Sequence, residues 1–368
     1  MRDAVLNIGN TWDPALLSAI PRLQDFGKAQ AIHIGSLYGN TKYNILGNAR
    51  SPDRLKEINW EDTKHYVAQA HALGLDVVWT INASCPGNQK EAFQDIVRHA
   101  EDVHKFFLEL NPDMLVVANP LYLEALKVIG CTKPIELSTI FNITEPNQVL
   151  LLLDQGYHIQ RVCVPVSQNR NLRFLKSLAS LCSKLSIDVE VMVNEFCFLN
   201  GANCEGVFRR SCYDMNAHAE IGDQDFNFPR SLCTAQRDID PVNWLKAKWV
   251  LPQHLSLYQE LGIHHFKITG RTHPTEFILR VVEHYLARNF EGNLLELWPH
   301  LQTINAKNFE QAQKAVIAKT GIDCKGIGRK TFRELLYTCK NDCSICNFCD
   351  MLFEQLVSEG HIPDAFTD

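Results

Sequence analysis

The sequence contains no run of eighteen apolar residues, which excludes an ordinary membrane-spanning helix. It has no surplus of positive charge: 36 Lys and Arg stand against 42 Asp and Glu, a net charge of −6. A strong nucleic-acid signature is therefore missing, although a local basic patch is compatible with this balance. The first ten residues, MRDAVLNIGN, lack the charged-then-apolar order of a secretory leader and run straight into strand-like sequence. A cytoplasmic protein is the expectation. Three catalytic signatures are also missing: H-E-x-x-H, G-x-S-x-G and the P-loop. Their absence removes the common protease and nucleotide-using mechanisms. Glycine (19) and proline (15) are at ordinary levels, so the chain is neither fibrous nor disordered.

Cysteine is what the chain has in excess, thirteen in 368 residues. Without an export signal these thiols are expected to stay reduced, and clustered reduced thiols more often hold metal or act in catalysis. Cys163 in RVCVPV and Cys182 in ASLCSKL read as small core residues, and Cys85 and Cys131 are scattered. The other nine gather in two regions.

Short apolar runs alternate with longer amphipathic stretches eight times. The strand candidates are 4–9, 30–36, 76–84, 113–119, 134–142, 160–166, 188–194 and 264–270. They are rich in Val, Ile and Leu without strict alternation, as in strands buried on both faces of a parallel sheet. Helical patterns separate them. WEDTKHYVAQAHALG is acidic in its first turn and ends at Gly74, and TEPNQVLLLLDQG offers Thr144 as N-cap and Gly156 beyond its last turn. Eight such units predict a (β/α)8 TIM-like barrel over residues 1–288, with an open doubly wound sheet as the rival. A cysteine-bearing insertion, 195–242, follows strand seven, on the face where barrel active sites are built. Residues 289–368 read as a small helical C-terminal extension.

The insertion carries Cys197, Cys204, Cys212 and Cys233. Four thiols on one excursion suit a 4Fe–4S cluster or a structural zinc. The lack of a short C-x2-4-C knuckle favours the cluster. The extension carries Cys339, Cys343, Cys346 and Cys349, spaced C-x3-C-x2-C-x2-C, the bacterial ferredoxin run reversed. The first three also match the radical-SAM spacing, but that motif belongs after the first strand of its barrel. A second iron–sulfur cluster and zinc both remain open here, with Cys324 able to replace one ligand.

Polar residues at predicted strand ends converge on a barrel mouth: Asn82, Asn119, Ser138, Asn142, Arg170, Glu195, Lys267 and Arg271. Taken singly, each is more often a helix cap or loop hydrogen-bonder. Lys267 and Arg271, with Glu195 as an acidic neighbour, are suited to clamping a carboxylate or phosphate. Glu195, Lys267, Arg271 and Asn142 form the candidate catalytic set.

The stretch DVEVMVNEFCFLNGANC, with Glu190, Asn194, Glu195, Cys197 and Cys204, resembles the signature of the peptidase U32 family. LGIHHFKITGRTHPTEFILRVVEHY, with Gly262, Lys267, Gly270 and Arg271, is similar to the family's K-I-x-G-R segment and the helix after it. WVLPQHLSLYQELG, HIGSLYG and ELSTIFNIT extend the likeness over about residues 30–290. The resemblance implies a TIM-like barrel whose four insertion cysteines bind a 4Fe–4S cluster. It also implies oxygen-independent hydroxylation in some branches and collagenase-like proteolysis in others. The chain departs from the family pattern in two places. Asn194-Glu195 replaces a histidine-glycine pair, and SQNR stands where many members carry Arg-Glu. Three functions follow as expectations. The first is a redox or hydroxylating enzyme acting on a small or RNA-borne substrate. The second is a protease, and the third is a non-catalytic iron–sulfur subunit working with a protein partner or electron donor.

Overall fold

Eight strands close into one barrel in chain order: β1 (Ala4–Gly9), β2 (Ile32–Gly39), β3 (Asp76–Ile81), β4 (Met114–Val117), β5 (Ile135–Leu137), β6 (Ile159–Cys163), β7 (Asp188–Met192) and β8 (His265–Ile268). Every neighbouring pair is parallel, and β1 pairs with β8 to close the ring. This is the predicted (β/α)8 barrel, and the closed ring rules out the open sheet. The computed structural model describes residues 2–50, 54–195, 197, 207–218, 233, 235–236, 240–298, 321–339, 342–343 and 345–362.

The local reasons for the elements are readable. The helix Trp60–Ala72 begins at Asn59, whose side chain accepts from the Asp62 N–H, and Gly74 takes φ +74° just beyond its end. Gly156 does the same at φ +80° after the helix Asn147–Asp154. That helix corrects the expectation for Thr144. Pro146 is its cap, and Gln148 Oε1 accepts from the N–H groups of Thr144 (2.8 Å) and Glu145 (3.0 Å). The helix starts at Asn147, so Thr144 lies two residues before the cap rather than at it.

The barrel interior is divided. Tyr38, Val78, Met114 and Val116 form an apolar cluster from β2 to β4. The opposite arc, β5 to β8, points Glu136, Arg161, Glu190 and Lys267 inward, all buried. Outside the barrel, helices Arg329–Thr338 and Phe348–Ser358 share its hydrophobic core through Phe332, Leu335, Leu336 and Leu356. Phe332 stacks on His254 with ring centres 4.2 Å apart. No described helix is long and apolar enough to cross a membrane.

Candidate functional site

Lys267 sits at the centre of the charged arc. Its Nζ donates to Glu190 Oε2 at 2.7 Å, forms an ion pair with Glu136, and stands 4.4 Å from the Tyr38 ring centre. Arg161 reaches Glu136 at 3.3 Å and Glu190 at 3.9 Å. Asn7 Nδ2 donates to Glu190 Oε1 at 2.6 Å, and Ser36 Oγ donates to Asn7 Oδ1 at 2.7 Å. Two cations thus meet two carboxylates, and hydrogen bonds from β1 and β2 complete the set. Burial alone would raise Glu190, but Lys267 and Arg161 outweigh it and hold the carboxyl down at about 2. Burial and the Glu190 charge push Glu136 the other way. Burial disfavours the Lys267 ammonium, yet Glu136 and Glu190 overcome that and raise its pKa. Glu136, Cys163 and Glu190 bring ligand atoms within 4.8 Å of one another, but the Lys267 ammonium already serves these carboxylates as their cation.

Above this layer opens a cavity of about 220 Å³ at the C-terminal ends of the strands. Cys197, Cys212 and Cys233 line it together with Glu195, Lys267 and Arg271. Cys212 is carried by the helix Val207–Ala217, and Glu195 Oε1 accepts from the Cys197 N–H at 3.3 Å. Cys204 lies outside the described residues. Burial, and then the neighbouring Cys197, raise the Tyr213 phenol well above its ordinary value. Three of the four expected ligands therefore face one space. Their chemistry fits an iron–sulfur cluster held by Cys197, Cys212 and Cys233, with Cys204 as the expected fourth ligand.

The rim beside them is cationic, with Arg50, Arg54 and Arg271, and His273 lies next to them. Arg271 donates to Asn40 Oδ1 (3.1 Å) and Thr80 Oγ1 (2.6 Å), both neutral. Burial, then repulsion from Arg50, bring its guanidinium down to about 9. Burial, then Arg50 and Arg54, lower His273 to about 3. Two glycines place Arg271. A Cβ on Gly9 would stand 2.8 Å from the Arg271 nitrogen, and Gly270 turns the chain at φ +123°.

Other expected residues divide. Asn82 and Ser138 line the cavity. Asn119 is a helix cap, accepting from the Leu121 N–H at 2.9 Å. Asn142 is exposed, in left-handed backbone at φ 64°, and is not among the cavity-lining residues. Arg170 is not at the mouth either. It is fully buried, and its guanidinium donates to Leu245 O (2.8 Å) and Trp249 O (3.0 Å). Cys163 is buried as expected but also lines the cavity, its thiol pushed up by burial and by Glu190. Glu136 and Arg161 were missed as site residues. Their signal was a charge within an otherwise apolar strand, which burial on both faces makes costly unless paired.

Residues 29–293 match the family described as peptidase family U32. An uncharacterized protease of Methanocaldococcus jannaschii is 23% identical over 317 residues, covering 84% of this chain and 85% of that protein. Among solved structures, a U32 peptidase aligns with a TM-score of 0.46 at 13% identity, over 73% of this chain and 93% of that one. A dihydrodipicolinate synthase aligns with a TM-score of 0.35, also at 13% identity, over 98% of this chain and 100% of that one. With the family match extending over most of its length, the chain belongs to peptidase family U32.

Proposed function

We propose that this chain is an iron–sulfur enzyme performing redox or oxygen-independent hydroxylation chemistry on an anionic substrate, small or RNA-borne, in the barrel mouth. The observation that carries this reading is the composition of one cavity, where cluster-type cysteines and the cationic rim of Arg50, Arg54 and Arg271 share a single space. When bound, a 4Fe–4S cluster supplies one-electron exchange at the cysteine wall. The chain's own residues supply binding and orientation. Arg271 offers its planar fork to a carboxylate or phosphate, held in place by Asn40 and Thr80. Lys267 keeps its proton between two carboxylates and preserves the shape of the floor, so it is a positioning residue.

Proteolysis finds less support. Burial and Glu190 keep the Cys163 thiol protonated, and the Ser84 hydroxyl donates to Asp214 at 2.5 Å rather than to a histidine base. An electron-transferring subunit is the second reading. It rests on exposed Tyr337 (63%), Ile345 (81%) and Met351 (52%) on the cysteine-bearing tail, side chains suited to a protein partner.

Anaerobic iron and sulfide analysis of Cys197→Ser, Cys212→Ser and Cys233→Ser tests the assignment. Each variant is expected to lose a cluster. Unchanged iron in all three, or peptide hydrolysis by the metal-free protein, overturns it.

A further inference from the structure

We propose that Cys339, Cys343, Cys346 and Cys349 hold a second multi-iron cluster, seated on a buried cationic floor and separate from the barrel mouth. None of the four lines the mouth cavity. All four side chains are of intermediate burial. Their compact spacing lets one short segment surround one centre.

The floor beneath them points to an anionic occupant. Lys248 is 2% exposed, and its Nζ donates to Cys339 Sγ at 3.1 Å. Arg170 is fully buried, with its guanidinium on two carbonyls and 4.3 Å from the Trp249 ring centre. Cys349 Sγ lies 3.9 Å from Leu245 O, the same carbonyl that Arg170 holds. Among the described residues neither cation has a carboxylate partner. A buried cation without a counter-charge is costly. A four-thiolate metal centre carries net negative charge and supplies what is missing.

The C-x3-C-x2-C-x2-C spacing is the bacterial ferredoxin run reversed, which favours a multi-iron core, and zinc is the outcome that the test separates from it. Asn169 ties this floor to the mouth, since its Nδ2 donates to Lys248 O (3.1 Å) and to Met192 O (2.7 Å), and Met192 lines the cavity.

The test uses the full chain, purified anaerobically. Iron, acid-labile sulfide, zinc and the EPR spectrum after dithionite reduction are compared for wild type, Cys343→Ser/Cys346→Ser, Cys212→Ser and Lys248→Met. The tail double variant is expected to lose about four irons and four sulfides per chain, with zinc below stoichiometry throughout. Lys248→Met is expected to keep its iron while one midpoint potential falls, because a positive charge near a cluster favours its reduced form. Loss of one zinc from the tail variant overturns the proposal, as does loss of no metal. Unchanged potentials in an iron-replete Lys248→Met remove the cationic floor from it. Loss of iron from Cys212→Ser alone overturns this site and leaves the mouth assignment standing. Loss from the tail variant alone does the reverse.

Discussion

The floor and the rim of the mouth treat positive charge in opposite ways. Lys267, on β8, is enclosed by Glu136 and Glu190, and Arg161 shares those carboxylates. Arg271, four residues later, has Asn40 and Thr80 as hydrogen-bond partners and Arg50 as a repelling neighbour. On the floor, charge is consumed internally, and the ion pairs specify how β5, β6, β7 and β8 fit together. On the rim, charge is held by neutral groups and stays available to an incoming anion. Position on a barrel strand therefore does not decide whether a cation is architectural or functional. The company it keeps decides that.

The largest expected effect breaks the floor. Lys267→Met leaves two buried carboxylates short of a cation and should destabilise the fold by about 3–5 kcal/mol, read from chemical denaturation. Wild-type stability in that variant would mean that the floor is not a balanced layer of ion pairs. Lys267→Arg keeps the charge and should lose less.

Arg271→Gln sharpens the contrast from the other side. Stability should change by no more than about 1 kcal/mol. Binding of inorganic phosphate or a small dicarboxylate, measured calorimetrically, should weaken by about tenfold or more, as expected for a lost charge-assisted hydrogen bond. Equal binding by wild type and variant would move the anion site elsewhere.

Acid should act on the floor first. For Glu190, burial is outweighed by Lys267 and Arg161, which bring it to about 2. For Asp188, burial is outweighed by the His265 hydrogen bond and nearby positive charge, again giving about 2. Both folded values lie below the ordinary carboxylate range. The stability they contribute is therefore present above about pH 4.5 and is lost as pH falls from there toward 2. Denaturation midpoints measured across that window should fall steadily in wild type. The fall should be shallower in Glu190→Gln.

The smallest effect is expected at Asn142. Glycine suits its left-handed backbone, so Asn142→Gly should leave stability within about 0.5 kcal/mol and activity unchanged. A loss of activity would restore Asn142 to the site.

Some of this was legible because its cause is local. β1 was placed to the residue and the other strands to within about three residues at their starts, because a strand buried on both faces shows as an unbroken apolar run. Gly74 and Gly156 marked helix ends because left-handed backbone selects glycine. Thr144 was misread because the helix starts only at Asn147 with Pro146 as its cap, and a periodic pattern does not fix a helix start to the residue. Arg170 failed as a mouth residue for a related reason. A strand end tells how far along the barrel a residue lies, but not which way the chain turns after it.

The sequence by itself determined the eight-unit barrel, the two cysteine groups and the presence of Lys267 and Arg271 at the exit of the last strand. Tertiary structure alone decided which charges cancel. Lys267 meets Glu136 across 131 residues and Asn7 meets Glu190 across 183, both consequences of ring closure. Apolar periodicity reports a residue's relation to its near neighbours in the chain. A Coulomb partner is set by distance in space, and distances in space exist only once the barrel has closed.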